Sequence, residues 1–241
     1  MIKYIYKKKI GEKIMERVFA VSDLHGMYDL WTQIKNFLQP DDTLYVLGDC
    51  ADRGERGWDI IKEVYEHPQT IYIKGNHEDM LLKAMKEYNR YGRPGSEGRL
   101  LRQNGGDVTL YDWSCENQED RQKWFGRLRD LPLQLDYINK NGHTIKLSHA
   151  GFTPGTRVSD EDLLWNREHF LQFDNFQDIV VHGHTPVHYL AQDLRIQINK
   201  DKPTVIRYNF DHKIDIDMLS AFTNRAVLLD LDTFDEHYFD L

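Results

Sequence analysis

An α/β fold is predicted for this 241-residue chain by three observations. Short runs rich in β-branched residues alternate with stretches whose apolar residues recur at spacings of three and four. After Leu190 the alternation gives way to consecutive short extended runs. No internal repeat or low-complexity tract interrupts either part. Hydrophobic residues make up 40% of the chain, enough at this length for one substantial core, so a single domain over residues 1–241 is expected.

Strands are expected at Arg17–Val21, Thr43–Leu47, Thr70–Ile73, Thr144–Leu147 and Ile179–Val181, each of strand length and bounded by polar or glycine-bearing segments. Helices are expected at Tyr28–Leu38, Trp58–Tyr65, His77–Tyr88 and Arg121–Arg129, where the apolar residues fall on one face. Past Leu190, extended runs at Arg195–Asn199, Thr204–Tyr208, Lys213–Ile216 and Ala226–Leu231 read as an antiparallel sheet. Asp201-Lys202-Pro203 supplies the turn between the first two. Tyr91–Gly98, with Gly92, Pro94, Gly95 and Gly98, reads as a mobile loop.

Lys and Arg total 31 against 39 Asp and Glu, a net charge of -8, which argues against nucleic-acid binding through general electrostatics. The two cysteines, Cys50 and Cys115, cannot build a disulfide framework and fit a reducing compartment. Cys50 reads as a small core residue. The segment Met1–Arg17 is lysine-rich without the apolar stretch of a secretory signal, and no run of about 18 apolar residues occurs. A cytoplasmic monomer with no membrane partner is the expectation.

The polar residues are distributed with a pattern of their own. Val21 is followed by Ser22-Asp23-Leu24-His25-Gly26, and Leu47 by Gly48-Asp49-Cys50-Ala51-Asp52-Arg53-Gly54. Ile73 is followed by Lys74-Gly75-Asn76-His77-Glu78, Leu147 by Ser148-His149-Ala150-Gly151, and Val181 by His182-Gly183-His184-Thr185. In α/β sheets the carboxyl ends of strands border one crevice. Five clusters therefore converge. Carboxylate, imidazole and amide oxygen together suit a pair of borderline divalent cations, and the flanking glycines let the backbone turn sharply and come close. Any one cluster has an ordinary explanation as a turn or helix cap; five in order do not. His182 and His184 alternate along a strand, so only one can readily join the site.

With those residues assembled, the chain resembles the calcineurin-like metallophosphoesterases, specifically the phosphoprotein phosphatase family and its bacterial and phage branch typified by lambda protein phosphatase. The resemblance runs from about Val18 to Asp232 and includes Asn104-Gly105-Gly106, Trp165-Asn166-Arg167-Glu168 and Gly183-His184-Thr185-Pro186. It implies two mixed β-sheets packed as a sandwich and flanked by α-helices. It implies two divalent ions, manganese foremost with iron or zinc as alternatives. One would be held by Asp23 and His25, the other by Asn76, His149 and His184, with Asp49 between them. A hydroxide held between such ions would attack phosphorus directly.

In the same resemblance His77 protonates the leaving alkoxide, Asp52 orients His77, and Arg53 and Arg167 clamp the phosphate alongside Asn76. Arg167 has an alternative as the partner of Glu161 or Glu168. The implied activity is a serine/threonine protein phosphatase, with phosphotyrosine and small aryl phosphates also accepted. Alternatives on the same fold are hydrolysis of diadenosine tetraphosphate or another nucleotide, and a metal-binding regulatory module without catalysis. Four departures stand out: Lys74 for a usual arginine, Ser22 for a glycine, Pro186 for a histidine of the wider superfamily, and Leu219 near a usual glycine. Trp113, Trp124 and Trp165 are expected to pack against helices rather than wall the substrate. His188, His212 and His237 lie outside every motif.

Overall fold

The computed structural model describes residues 16–172 and 177–241. In chain order the strands are β1 (Val18–Val21), β2 (Thr43–Val46), β3 (Thr70–Tyr72), β4 (Gln134–Ile138), β5 (Thr144–Ser148), β6 (Ile179–His182), β7 (Ile206–Tyr208), β8 (Lys213–Asp215), β9 (Arg225–Asp230) and β10 (Glu236–Asp240). The helices are α1 (Tyr28–Phe37), α2 (Gly57–Glu66), α3 (Asn76–Tyr91), α4 (Ser96–Gln103), α5 (Asp107–Cys115), α6 (Gln118–Arg129), α7 (Asp160–Trp165), α8 (Val187–Leu194) and α9 (Ser220–Thr223). The lysine-rich stretch before Glu16 lies outside the described residues.

The strands form two five-stranded sheets, ordered β10-β9-β1-β2-β3 and β4-β5-β6-β8-β7. In the first, β1, β2 and β3 run parallel, while β9 and β10 pair antiparallel. In the second, β5, β6 and β8 run parallel, with β4 and β7 antiparallel at the edges. Both sheets are mixed, the sandwich that the family resemblance implies.

Strand alternation assigns the two faces of the first sheet. Phe19, Val21, Leu44, Val46, Ala226 and Leu228 pack with Trp31, Trp58, Leu81 and Trp113 of the helical layer. Val18, Ala20, Val227 and Leu229 turn the other way, against Ile145, Leu147, Val181 and Ile214 of the second sheet. The first sheet is thus buried on both faces, which explains why its parallel strands read as continuous apolar runs. Because both sheets direct parallel strand ends to one edge, their loops interlock there. Asp23, His25 and Gly26 donate backbone N–H bonds to the carbonyls of Gly48, Asp49 and Cys50 at 3.2, 2.9 and 3.0 Å, and Gly183 donates to His149 at 2.8 Å.

Several expectations are corrected. Arg195–Asn199 is not a strand: Arg195 takes a left-handed conformation, φ 57°, and ends α8. Residues 196–199 then join no ladder. The sheet beyond Leu190 does not stand by itself either. β7 and β8 belong to the second sheet, while β9 joins the first. Tyr91–Gly98 is shorter as a loop than expected, since α3 runs to Tyr91 and α4 starts at Ser96. The Glu87 carboxylate accepts the backbone N–H groups of Gly95, Ser96, Glu97 and Gly98, tying the connection down. Strands β4 and β10 and helices α4, α5, α7, α8 and α9 were not anticipated.

Candidate metal centre and phosphate cleft

The loops after β1, β2 and β6 hold their functional residues in an unusual backbone. Asp23, His25, Asp49, Asp52, Arg53 and His184 all have positive φ, from 42° to 69°. Such conformations cost a non-glycine residue about 1–2 kcal/mol each and persist only where the surroundings impose them. Part of that support is Glu78. This wholly buried carboxylate accepts the backbone N–H groups of Asp49 (2.7 Å), Gly75 (2.9 Å), Cys50 (2.9 Å) and Ala51 (3.3 Å). Glycine is required at 75 and 183, since a Cβ there would collide with the carboxylates of Asp49 and Asp23 respectively.

Asp49 divides its two oxygens between two groups of donors. Its Oδ2 lies 3.6 Å from Nε2 of His25, which is itself 3.7 Å from Oδ1 of Asp23. Its Oδ1 lies 3.4 Å from Nε2 of His149. That nitrogen and Nδ1 of His184 are 2.8 and 2.9 Å from Oδ1 of Asn76. All six side chains are buried. His25 and His149 each donate from Nδ1 to a backbone carbonyl, of Ala51 at 2.9 Å and Leu47 at 2.8 Å, which fixes the ring orientation and turns Nε2 inward. Nε2 of His25 has no hydrogen-bond partner.

The donor set fits a pair of divalent cations. Within ion-pair distance, Asp23 and Asp49 face histidines and no lysine or arginine among the described residues. Burial raises the Asp23 carboxyl, with His149 opposing and Asp49 adding to the rise. Burial also acts to raise Asp49, but the imidazoles of His149, His77 and His25 hold it well below the usual carboxylate range. Burial disfavours charge on His149, yet Asp49 and Asp23 push it up to about 10. Protonated histidine thus balances the buried carboxylates, a task that a cation performs more completely. Burial leaves His25 and His184 neutral, the ligating form.

Beside these groups, His77 holds Oδ2 of Asp52 through Nδ1 at 2.7 Å, while its Nε2 is 3.3 Å from Nη2 of Arg53. Burial lowers the His77 imidazole, but Asp49 and Asp52 prevail and raise it. Thr109 Oγ1 and the Gly105 carbonyl accept the backbone N–H groups of Asp52 and Arg53, both left-handed. Arg167 makes no ion pair with Glu161 or Glu168 among the described residues; with Arg53 it lines a cleft of about 450 Å³ over the buried donors. Trp165 corrects the packing expectation, because it lines that cleft at 6.0 Å from the His184 ring, whereas Trp113 and Trp124 are core.

Of the two candidates, His184 enters the site. His182 points away and shares Tyr208 with His169 at 2.7 and 2.8 Å. Lys74 gives its ammonium to the Arg129 carbonyl at 2.9 Å, so it supplies no phosphate contact in this conformation. Ser22 donates its hydroxyl to Asp23, and Pro186 begins α8 on the cleft wall. Leu219 is left-handed, φ 59°, which accounts for the usual glycine there. The sequence reading missed Asp217, a buried carboxylate on the cleft, and the exposed rings of Tyr189 and Phe222 beside it; none of the three sits in a cluster.

Among curated proteins the chain is 28% identical over 179 residues to the symmetrical bis(5'-nucleosyl)-tetraphosphatase of Nitrosococcus oceani, covering 71% of this chain and 58% of that one. It is 25% identical over 146 residues to the protein of the same name from Chromobacterium violaceum, covering 59% and 46%. The chain thus spans about half the length of these relatives. A crystal structure provisionally named a diadenosine tetraphosphatase superposes with a TM-score of 0.60 at 18% identity, covering 94% of both chains. The calcineurin-like phosphoesterase family model matches residues 16–215, a span that contains every residue of the two donor groups as well as Arg53, His77 and Arg167. Fold, donor chemistry and this match agree: the chain belongs to the calcineurin-like phosphoesterase family.

Proposed function

We propose that the chain hydrolyses dinucleoside polyphosphates at a two-cation centre formed by Asp23, His25, Asp49, Asn76, His149 and His184. The observation that carries the reading is the two-way carboxylate of Asp49 beneath a cleft lined by Arg53 and Arg167. The relatives named as bis(5'-nucleosyl)-tetraphosphatases support this substrate class. Two divalent cations, of the manganese, iron or zinc kind by their donors, would supply Lewis acidity toward phosphate and acidify a water. Arg53 and Arg167 donate to the non-bridging oxygens and offset the charge that grows in the transition state. His77 carries Asp52 on Nδ1 at 2.7 Å, and the carboxylates of Asp49 and Asp52 favour its protonated form against the opposing charge of Arg53, so its part is to hold a proton for the leaving oxygen, with Asp52 orienting it.

The buried His77–Asp52 pair also favours a second reading. A phosphate leaving from an anhydride needs little protonation, but the alkoxide of serine or threonine needs it acutely, as in a serine/threonine protein phosphatase. Leaving groups separate the two. With manganese fixed, kcat/KM for diadenosine tetraphosphate should exceed that for a phosphoserine peptide and for an aryl phosphate by at least about tenfold. His77→Asn should lower turnover of the peptide by roughly 10²–10⁴ and of the dinucleotide by much less. A peptide preferred over the dinucleotide would overturn the first reading in favour of the second. Wild type and variant equally inert on all three would leave only a non-catalytic metal-binding module.

A further inference from the structure

A second cleft, of about 650 Å³, opens beside the phosphate cleft. The two share Tyr189 and Leu219 as walls, so the second lies as a trough directly against the first. Its lining combines the Tyr189 ring, the aliphatic chains of Ala191, Ile196 and Ile198, and the side-chain amides of Gln192 and Gln197. Tyr189 and Ile196 are 57% and 41% exposed. The far wall is pinned to α8, since Ile196 N–H donates to the Ala191 carbonyl and His188 Nε2 bonds the Lys200 carbonyl, both at 2.8 Å.

We propose that this trough takes the nucleoside of a substrate whose phosphate chain lies at the donor groups. An aromatic face beside aliphatic walls stacks a heterocycle, and amides can bond the edge of a base. The volume lies within the usual range of small-ligand sites, about 300–1,000 Å³. Entry is set by chain connectivity. Tyr189 lies five residues after His184, on α8, and Leu219 two after Asp217, so the segments that follow two residues of the phosphate cleft also border the trough. The proposal rests on the dinucleotide reading above.

The test uses Ile196→Asp, which puts a charge on an exposed wall, with Gln192→Ala and the conservative Ile196→Leu beside it. In the manganese-loaded protein, kcat/KM for diadenosine tetraphosphate is divided by that for an aryl phosphate, and ADP binding is followed by calorimetry. Ile196→Asp should lower the ratio at least about tenfold, mainly through KM, and weaken ADP to a similar degree. Gln192→Ala should act in the same direction and Ile196→Leu should stay near wild type. An unchanged ratio in a wild-type enzyme that does cleave the dinucleotide overturns the trough and leaves the function standing. A wild type inert on the dinucleotide but active on a phosphoserine peptide removes both. Loss of peptide turnover alone in Ile196→Asp assigns the trough to a peptide flank and overturns the nucleoside proposal.

Discussion

Asp49 is the residue on which the centre turns. Its oxygens point to different donor groups, whereas Asp23 serves one. Removing the charge at 49 should therefore empty both positions, and removing it at 23 chiefly one. After dialysis against metal-free buffer, Asp49→Asn should keep close to no metal per chain and Asp23→Asn about one. Two ions retained in both variants would contradict the assignment. At this scale much was legible, because Asp, Asn and His stood in dense clusters after apolar runs. Alternation alone says that His182 and His184 diverge but not which side faces the crevice; the resemblance of Gly183-His184-Thr185-Pro186 to the family motif is what pointed to His184. Trp165 and Asp217 were hidden: each stands alone, and its role depends on how distant loops approach.

Among the elements, the buried parallel strands β1, β2, β3, β5 and β6 could be read from their apolar runs. The edge strands β4 and β10 could not. No residue of either strand is fully buried, and Gln134, Asp136, Glu236 and Asp240 dilute the pattern. The false strand at Arg195–Asn199 has the opposite cause. Ile196 and Ile198 alternate like a strand, but Ile196 is exposed and Ile198 only partly buried, because a left-handed Arg195 turns the chain off α8. Glycine suits that position far better than arginine, and Arg195 is exposed. Arg195→Gly should raise stability by about 0.5–1 kcal/mol, a rise in Tm of about 1–4 °C by calorimetry. A fall would mean that the arginine side chain holds the turn.

At the scale of the molecule the two sheets contribute unequally to the centre. Loops of the first sheet carry Asp23, His25, Asp49 and Asn76, while loops of the second carry only His149 and His184. Metal binding should therefore be linked to folding. Manganese added to chelator-treated protein at about 100 times its Kd should contribute about 2.7 kcal/mol, raising Tm by about 5–11 °C. A Tm indifferent to metal would separate the donor groups from the stability of the sandwich.

The division of donors between the sheets carries one more consequence. An ion beside Asp23 and His25 fastens the first sheet to itself, whereas an ion among Asn76, His149 and His184 rivets the two halves together. Starved of that second ion, the protein would be unbolted along its seam as well as idle, and hydrogen exchange at β5 and β6 would quicken before exchange at β1 and β2.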